Sequence, residues 1–231
     1  MTGATRAEVA ATACSDLLLG AGRILASPIG LIPAIGARLA KLTHAPELLL
    51  SDGEATMFAD VPAVDESFTD IQSPFPYRDL FELIARGRRH VIMGAAQIDQ
   101  HGNQNLSAIG DRDRPARQLL GARAAATNTV SHATSYWIAR HSPRVFVDRV
   151  DVITGLGPAQ AATTGAARFQ DLRRIVTNLA VLDFSGPDGT VALVSTHPGV
   201  PVAEIVDATG FPCTFRATCP RPARRPRSSS P

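Results

Sequence analysis

Short apolar runs alternate along this chain with segments whose apolar residues recur at helical spacing, and this alternation limits the folds open to it. Leu48-Leu49-Leu50-Ser51 lies between Pro46 and Gly53, and His90-Val91-Ile92-Met93 ends at Gly94. A strand without a polar face must be covered on both sides, as in a largely parallel sheet flanked by helices. The intervening segments supply those helices. Arg6 to Leu19 reads as an amphipathic helix ended by Gly20 and Gly22, followed by a short strand over Arg23–Ser27 and a turn at Pro28 and Gly30. Pro33 fits the first turn of a second helix running to about Thr43, where no backbone donor is needed. Tyr77–Arg86 reads as a third helix, and Val202–Thr209, stopped by Gly210, as the last. The expected architecture is α/β, an open and largely parallel sheet with flanking helices.

Other stretches break the pattern. Val61–Pro76 is rich in proline and reads as a loop or irregular hairpin. Further apolar runs stand at Arg144–Val147, Val150–Thr154, Ile175–Phe184 and Thr190–Ser195. The Gly186-Pro187-Asp188-Gly189 segment predicts a hairpin between strands in Val181–Ser195. No internal repeat is visible. Residues 1–212 read as one domain, and 213–231 as an irregular Arg/Pro/Ser-rich tail. That tail is open to two readings, a solvated disordered terminus or a shifted reading frame.

Composition removes several classes of function. With 45% hydrophobic and 19% charged residues over 231, the chain can bury enough surface to order itself. The formal net charge is +2, the basic excess gathers in the tail, and no basic stripe interleaves with aromatics, which argues against a nucleic-acid partner. Cys14, Cys213 and Cys219 have neither disulfide-framework nor zinc spacing. Without a signal pattern or a bilayer-spanning apolar run, the expectation is a soluble cytoplasmic protein with no membrane partner.

Three constellations could carry chemistry. Ser51-Asp52-Gly53-Glu54 follows a buried strand, where side chains of open α/β sheets face a ligand crevice. Asp52 and Glu54 could act as nucleophile, base or electrostatic stabiliser, or simply form a solvated turn. Gly94 to Asn105 puts small residues and then amides after the strand. Gly94 would admit a ligand close to the backbone, and Gln97, Asn103 and Asn105 could donate to a carbonyl or oxyanion. The same segment also suits a hairpin whose asparagines bond their own backbone. His101 reads as a solvated turn residue, and no second histidine stands at metal-ligand spacing. Finally, Gly121-Ala122-Arg123-Ala124 could hold a phosphate or carboxylate through Arg123, or open an Ala-rich helix.

Ile24–Glu54, Gly94–Asn105, Arg144–Gly157 and His197-Pro198-Gly199-Val200 together resemble, in this order, the β subunits of class I coenzyme A transferases of the glutaconate type. The likeness covers about residues 6–211. It implies an open α/β sheet, an α-subunit partner in an α2β2 assembly with the active site between subunits, and an acyl-CoA substrate. No resident cofactor or metal is implied, coenzyme A arriving as part of the substrate. Two departures stand out. The family's nucleophilic glutamate is replaced by Asp52, one methylene shorter, with Glu54 two positions on; a retreat of about 1 Å can cost orders of magnitude in rate. The family's Gly-Ser-Gly-Gly-type loop is here Gly121-Ala122-Arg123-Ala124. More narrowly, the chain resembles β subunits of actinobacterial, CoA-dependent hydrolases that open the last steroid ring. That resemblance implies water attack and carbon–carbon cleavage with the main carboxylate in the α partner. Asp52 and Glu54 then support catalysis, and Gly94, Gln97, Asn103, Asn105 and Arg123 bind substrate or CoA. The alternatives are covalent CoA transfer through Asp52 or Glu54, and a non-catalytic structural β subunit.

Overall fold

Thr5 and Glu8 begin the first helix with a reciprocal capping box. The Thr5 hydroxyl accepts from the Glu8 amide at 3.3 Å, and the Glu8 carboxylate accepts from the Thr5 amide at 2.7 Å. The computed structural model describes residues 3–52, 56–64, 70–212 and 214–215. Helix α1 (Arg6–Asp16) leads to β1 (Leu25–Pro28) and α2 (Leu31–Thr43). The two helices touch closely because Gly36 lacks a side chain; a Cβ there would stand 2.7 Å from Cys14 Cβ.

The Leu48–Ser51 run lies parallel to β1, with Ala26 donating to the Leu49 carbonyl and Leu49 to that of Ile24. It makes isolated bridges instead of the full strand expected. The run sits outside the sheet's edge strand, and after Leu50 it turns away to bridge from Ser51 to Met57. Antiparallel β2 (Thr56–Phe58) and β3 (Ile71–Pro74) follow, giving the proline-rich passage a ribbon, and then α3 (Tyr77–Ala85).

Strand β4 (Arg89–Met93) enters the sheet beside β1. Two small ribbons come next: β5 (Gln97–Ile98) with β6 (Gln104–Asn105), and β7 (Ala108–Ile109) with β8 (Arg117–Gln118). The chain then makes α4 (Ala125–Ser131), β9 (Ala133–Ile138), α5 (Pro158–Thr164), β10 (Asp171–Thr177), β11 (Ala180–Asp183), β12 (Ala192–Thr196), α6 (Val202–Asp207) and β13 (Thr214–Phe215).

Among the described residues the main sheet has the order β1-β4-β9-β10-β11-β12-β13. Pairing is parallel from β1 to β10, antiparallel through β11 and β12, and parallel again to β13. The α/β class and largely parallel sheet therefore match the expectation. Three details differ. Strand β9, central and nearly all buried, carries no flanking Gly or Pro and was not anticipated. The run Ile175–Phe184 contributes to two strands, reversed where the Thr177 hydroxyl accepts from the Leu179 and Ala180 amides at 3.0 and 2.9 Å. The sheet also extends past residue 212, because β12 offers Ala192 and Leu193 as partners for Thr214 and Phe215.

Each face of the sheet has its own core. Leu18, Ala26, Ala37, Ala40, Leu48 and Leu50 fill the side under α1 and α2. On the other side lie Val91, Met93, Tyr136, Phe146, Ile175 and Leu182. Each large side chain fully buried here contributes roughly 1.5–3 kcal/mol. Among the described residues no helix is long and apolar enough to cross a membrane.

Candidate active-site edge

Parallel strands end together, so the topology gathers the three constellations at one edge. Asp52 follows the run beyond β1, and Gly94 follows β4. Helix α4 descends directly into β9, which puts its start, beside Arg123, over the same carboxyl ends. Ligand crevices of open α/β sheets form at this edge.

Asp52 is exposed and closes a turn: its amide donates to the Thr56 carbonyl at 3.2 Å, and its Oδ1 accepts from the Thr56 amide at 3.0 Å. Glu54 lies outside the described residues. Gly94 has room for a side chain, a Cβ there being 3.9 Å from the Trp137 carbonyl, so core packing does not demand glycine. Its own carbonyl accepts from Gln104 Nε2 at 2.9 Å.

The three amides are buried and engaged within the fold. Gln97 Nε2 donates to Asp151 Oδ2, and Gln97 Oε1 accepts from the Asp151 amide and from Asn105 Nδ2. Asn105 also donates to the Ala108 carbonyl and accepts from the Ser107 amide. Asn103 Nδ2 donates to Asp99 Oδ2, while its Oδ1 accepts from the Gly157 amide at 2.9 Å. These bonds lock the β5–β6 hairpin against the 151–157 segment. Asn103 also lines a cavity of about 340 Å³ with Asp99, His101, Asp148, Arg149 and Gln160. His101 is exposed at the turn, as its sequence context suggests.

Arg123 is exposed and holds a left-handed backbone, φ 46°, two residues before α4. Side chains rarely adopt that conformation, and where they do the strain often accompanies function. Gly121 beside it has φ 85° and open space around it. Among the described residues no group of His, Cys, Asp or Glu is arranged to hold a metal ion.

One polar cluster escaped sequence reasoning. Arg89 is 8% exposed and donates to Ser27 Oγ at 2.8 Å and Asn128 Oδ1 at 2.9 Å, with His132 Nε2 at 3.4 Å. Burial lowers its pKa to about 10. Burial likewise pushes the neighbouring imidazoles down, His132 to about 4 and His90 to about 3. The available signal was an arginine at the head of an otherwise apolar, doubly covered strand.

Residues 75–208 match the Coenzyme A transferase family, to which the chain belongs. Within that class it is 51% identical over 212 residues to the cholesterol ring-cleaving hydrolase IpdB subunit of Rhodococcus jostii (strain RHA1), spanning 91% of this chain and 83% of that one. The IpdB subunit of Mycobacterium tuberculosis (strain ATCC 25618 / H37Rv) is 49% identical over 210 residues, 90% of this chain and 84% of the relative. The crystal structure of R. jostii RHA1 IpdAB superposes with a TM-score of 0.88 at 51% identity, over 92% of this chain and 86% of that one. Glutaconate coenzyme A-transferase from Acidaminococcus fermentans shares the fold, with a TM-score of 0.77 at 22% identity over 96% and 92% of the two chains.

Proposed function

We propose that this chain is the β subunit of a CoA-thioester-dependent hydrolase that opens the last steroid ring in cholesterol degradation, working with an α subunit in an α2β2 assembly in the cytoplasm. The observation that carries this reading is the 51% identity to an IpdB subunit over 91% of the chain. In the reaction, water adds at a ring carbonyl and the adjacent carbon–carbon bond breaks. The hydroxyl ends in a new carboxylate and a proton ends on the released carbon. Coenzyme A enters and leaves on the substrate, and no resident cofactor is needed.

The main catalytic carboxylate belongs to the α subunit. Asp52 supports it from an exposed turn at the carboxyl edge, and Glu54 assists. Gly94 lets the substrate approach the backbone, and the exposed Arg123 guanidinium meets an anionic group of the acyl-CoA. Gln97, Asn103 and Asn105 shape the pocket wall through the bonds that fix the hairpin.

The test is intact-mass spectrometry of the co-expressed complex incubated with a steroid-derived acyl-CoA, with and without borohydride. A ring-opened CoA product and an unmodified chain are expected. A CoA adduct mapped to Asp52 or Glu54 would replace hydrolysis by covalent CoA transfer. Full activity in assembled Asp52→Ala and Arg123→Ala variants would leave the chain a structural role only.

A further inference from the structure

Gln104 is fully buried, and its backbone is clamped to the 151–157 segment. Its amide donates to the Gly155 carbonyl at 2.9 Å, and its carbonyl accepts from the Thr154 and Gly155 amides at 2.8 and 3.0 Å. Gly155 leaves the side chain its space, since a Cβ there would stand 2.8 Å from Gln104 Oε1. From this anchor Nε2 donates to the Gly94 carbonyl at 2.9 Å, at the carboxyl end of β4. The orientation of the side-chain amide follows, because a carbonyl can only accept. Oε1 is buried with no hydrogen-bond partner among the described residues. An unsatisfied buried acceptor is destabilising, so stability alone would favour an apolar side chain of this size. What Gln104 contributes is the direction of one peptide.

The Gly94–Ala95 peptide is trans, so its N–H points opposite to its carbonyl. With the carbonyl held inward by Gln104, the Ala95 N–H is directed away from the interior, where Gly94 and Ala95 are half-buried. The next peptide is fixed as well, the Ala96 amide donating to the Asn105 carbonyl at 2.9 Å. A Cβ at Gly94 would meet only the Trp137 carbonyl, at 3.9 Å, so a ligand atom has room beside this backbone. An N–H fixed in advance at the carboxyl edge of the sheet suits an oxygen that gains negative charge during reaction.

We propose that the Ala95 backbone amide donates to the oxygen of the ring carbonyl as water adds to it, and that Gln104 is the positioning residue that aims this amide. This deepens the hydrolase reading above and rests on it. As the water oxygen bonds to the carbonyl carbon, the C=O π pair moves onto the oxygen that faces Ala95. The pair returns when the adjacent carbon–carbon bond breaks, and the released carbon takes its proton.

The test measures kcat and KM separately for the co-expressed complex turning over a steroid-derived acyl-CoA. Gln104→Met removes the donor while filling a similar volume. It should lower kcat roughly 10- to 100-fold through misplacement, with KM and melting temperature nearly unchanged. Gln104→Glu sets a carboxylate against the Gly94 carbonyl at neutral pH, but a protonated carboxyl can donate in its place. Burial raises the pKa of such a group, so kcat relative to the unaltered enzyme should climb as pH falls from about 8 to about 6. Ala95→lactic acid, which replaces the N–H by an ester oxygen, should lower kcat about 100-fold. An unchanged kcat in Gln104→Met or in the ester variant overturns the proposal. So does a kcat in Gln104→Glu that keeps a constant ratio to the unaltered enzyme across that range, since a packing role would not respond to pH. Failure of the unaltered complex to release a ring-opened product would refute the hydrolase reading instead.

Discussion

Gln97 and Asp151, far apart in sequence, bind each other twice. The Gln97 amide nitrogen donates to the Asp151 carboxylate and the Asp151 backbone amide donates to the Gln97 oxygen, both at 3.0 Å. The same carboxylate oxygen accepts from the Gly110 amide at 2.9 Å, so one pair joins β5, the β7–β8 ribbon and the 151–157 segment.

Removing the buried Gln97 should be costly, because the Asp151 carboxylate, the Asp151 backbone amide and the buried Asn105 amide all lose a partner. Gln97→Ala should destabilise the protein by about 2 kcal/mol, which corresponds to a melting temperature about 4–8 °C lower for a chain of this size. Thermal unfolding of the complex checks it. An unchanged melting temperature would show that the pair does not hold the hairpin.

Arg123 should respond to glycine in opposite ways for stability and for activity. Relief of the left-handed backbone is worth roughly 1–2 kcal/mol, and the extra freedom of unfolded glycine returns about 0.5–1 kcal/mol. Arg123→Gly should therefore raise the melting temperature slightly while increasing the KM for acyl-CoA. A rise in stability with an unaltered KM would separate Arg123 from substrate binding.

Gly102 is expected to tolerate no side chain. Its φ is 75°, and a Cβ would stand 2.6 Å from the Phe184 ring at the tip of the β5–β6 hairpin. Gly102→Ala should cost about 2–4 kcal/mol from strain and overpacking combined. Chemical denaturation of the complex measures the loss, and Phe184→Leu should restore part of it.

Acid should weaken the fold through its buried histidines, three of them with strongly lowered values. His90 is lowered by burial to about 3, and His132 and His141, also by burial, to about 4. Each lies below the unfolded value near 6.5, so the unfolded chain binds the extra proton. Their contribution is fully present above about pH 6.5 and is lost as pH falls toward the folded values. Melting temperature should decline steadily from pH 6.5 to 4, with each histidine contributing a slope of up to ~1.4 kcal/mol per pH unit. His141→Gln should lessen that slope, since among the described residues the His141 ring bonds to the Thr177 and Thr209 hydroxyls and stacks on Phe146. An equal slope in this variant would assign the acid sensitivity elsewhere.

Much of the fold was legible because its signals are local. The capped α1, the proline-started α2, the strand at His90–Met93 and the Gly186–Gly189 hairpin each announce themselves within a few residues. Strand β9 did not, because Ala133-Thr134-Ser135 reads as polar and no turn residue separates it from α4. The candidate site was legible in part. Asp52, Gly94 and Arg123 were singled out as candidates from their positions after strands and before a helix, and from a family resemblance.

The sequence by itself determined the fold class, the order of most elements and the family, since hydrophobic period, turn residues and motif order are properties of neighbouring residues. The tertiary structure decided what the polar side chains do. Gln97, Asn103 and Asn105 had donors to offer, and only long-range folding committed them to Asp151, Asp99, Ala108 and Gly157. Arg89 became a buried cation held by neutral groups of β1 and α4, without an ion-pair partner among the described residues, because these elements meet it from distant parts of the chain. Burial and hydrogen-bond partnership depend on which segments meet in space, and no local pattern encodes that meeting.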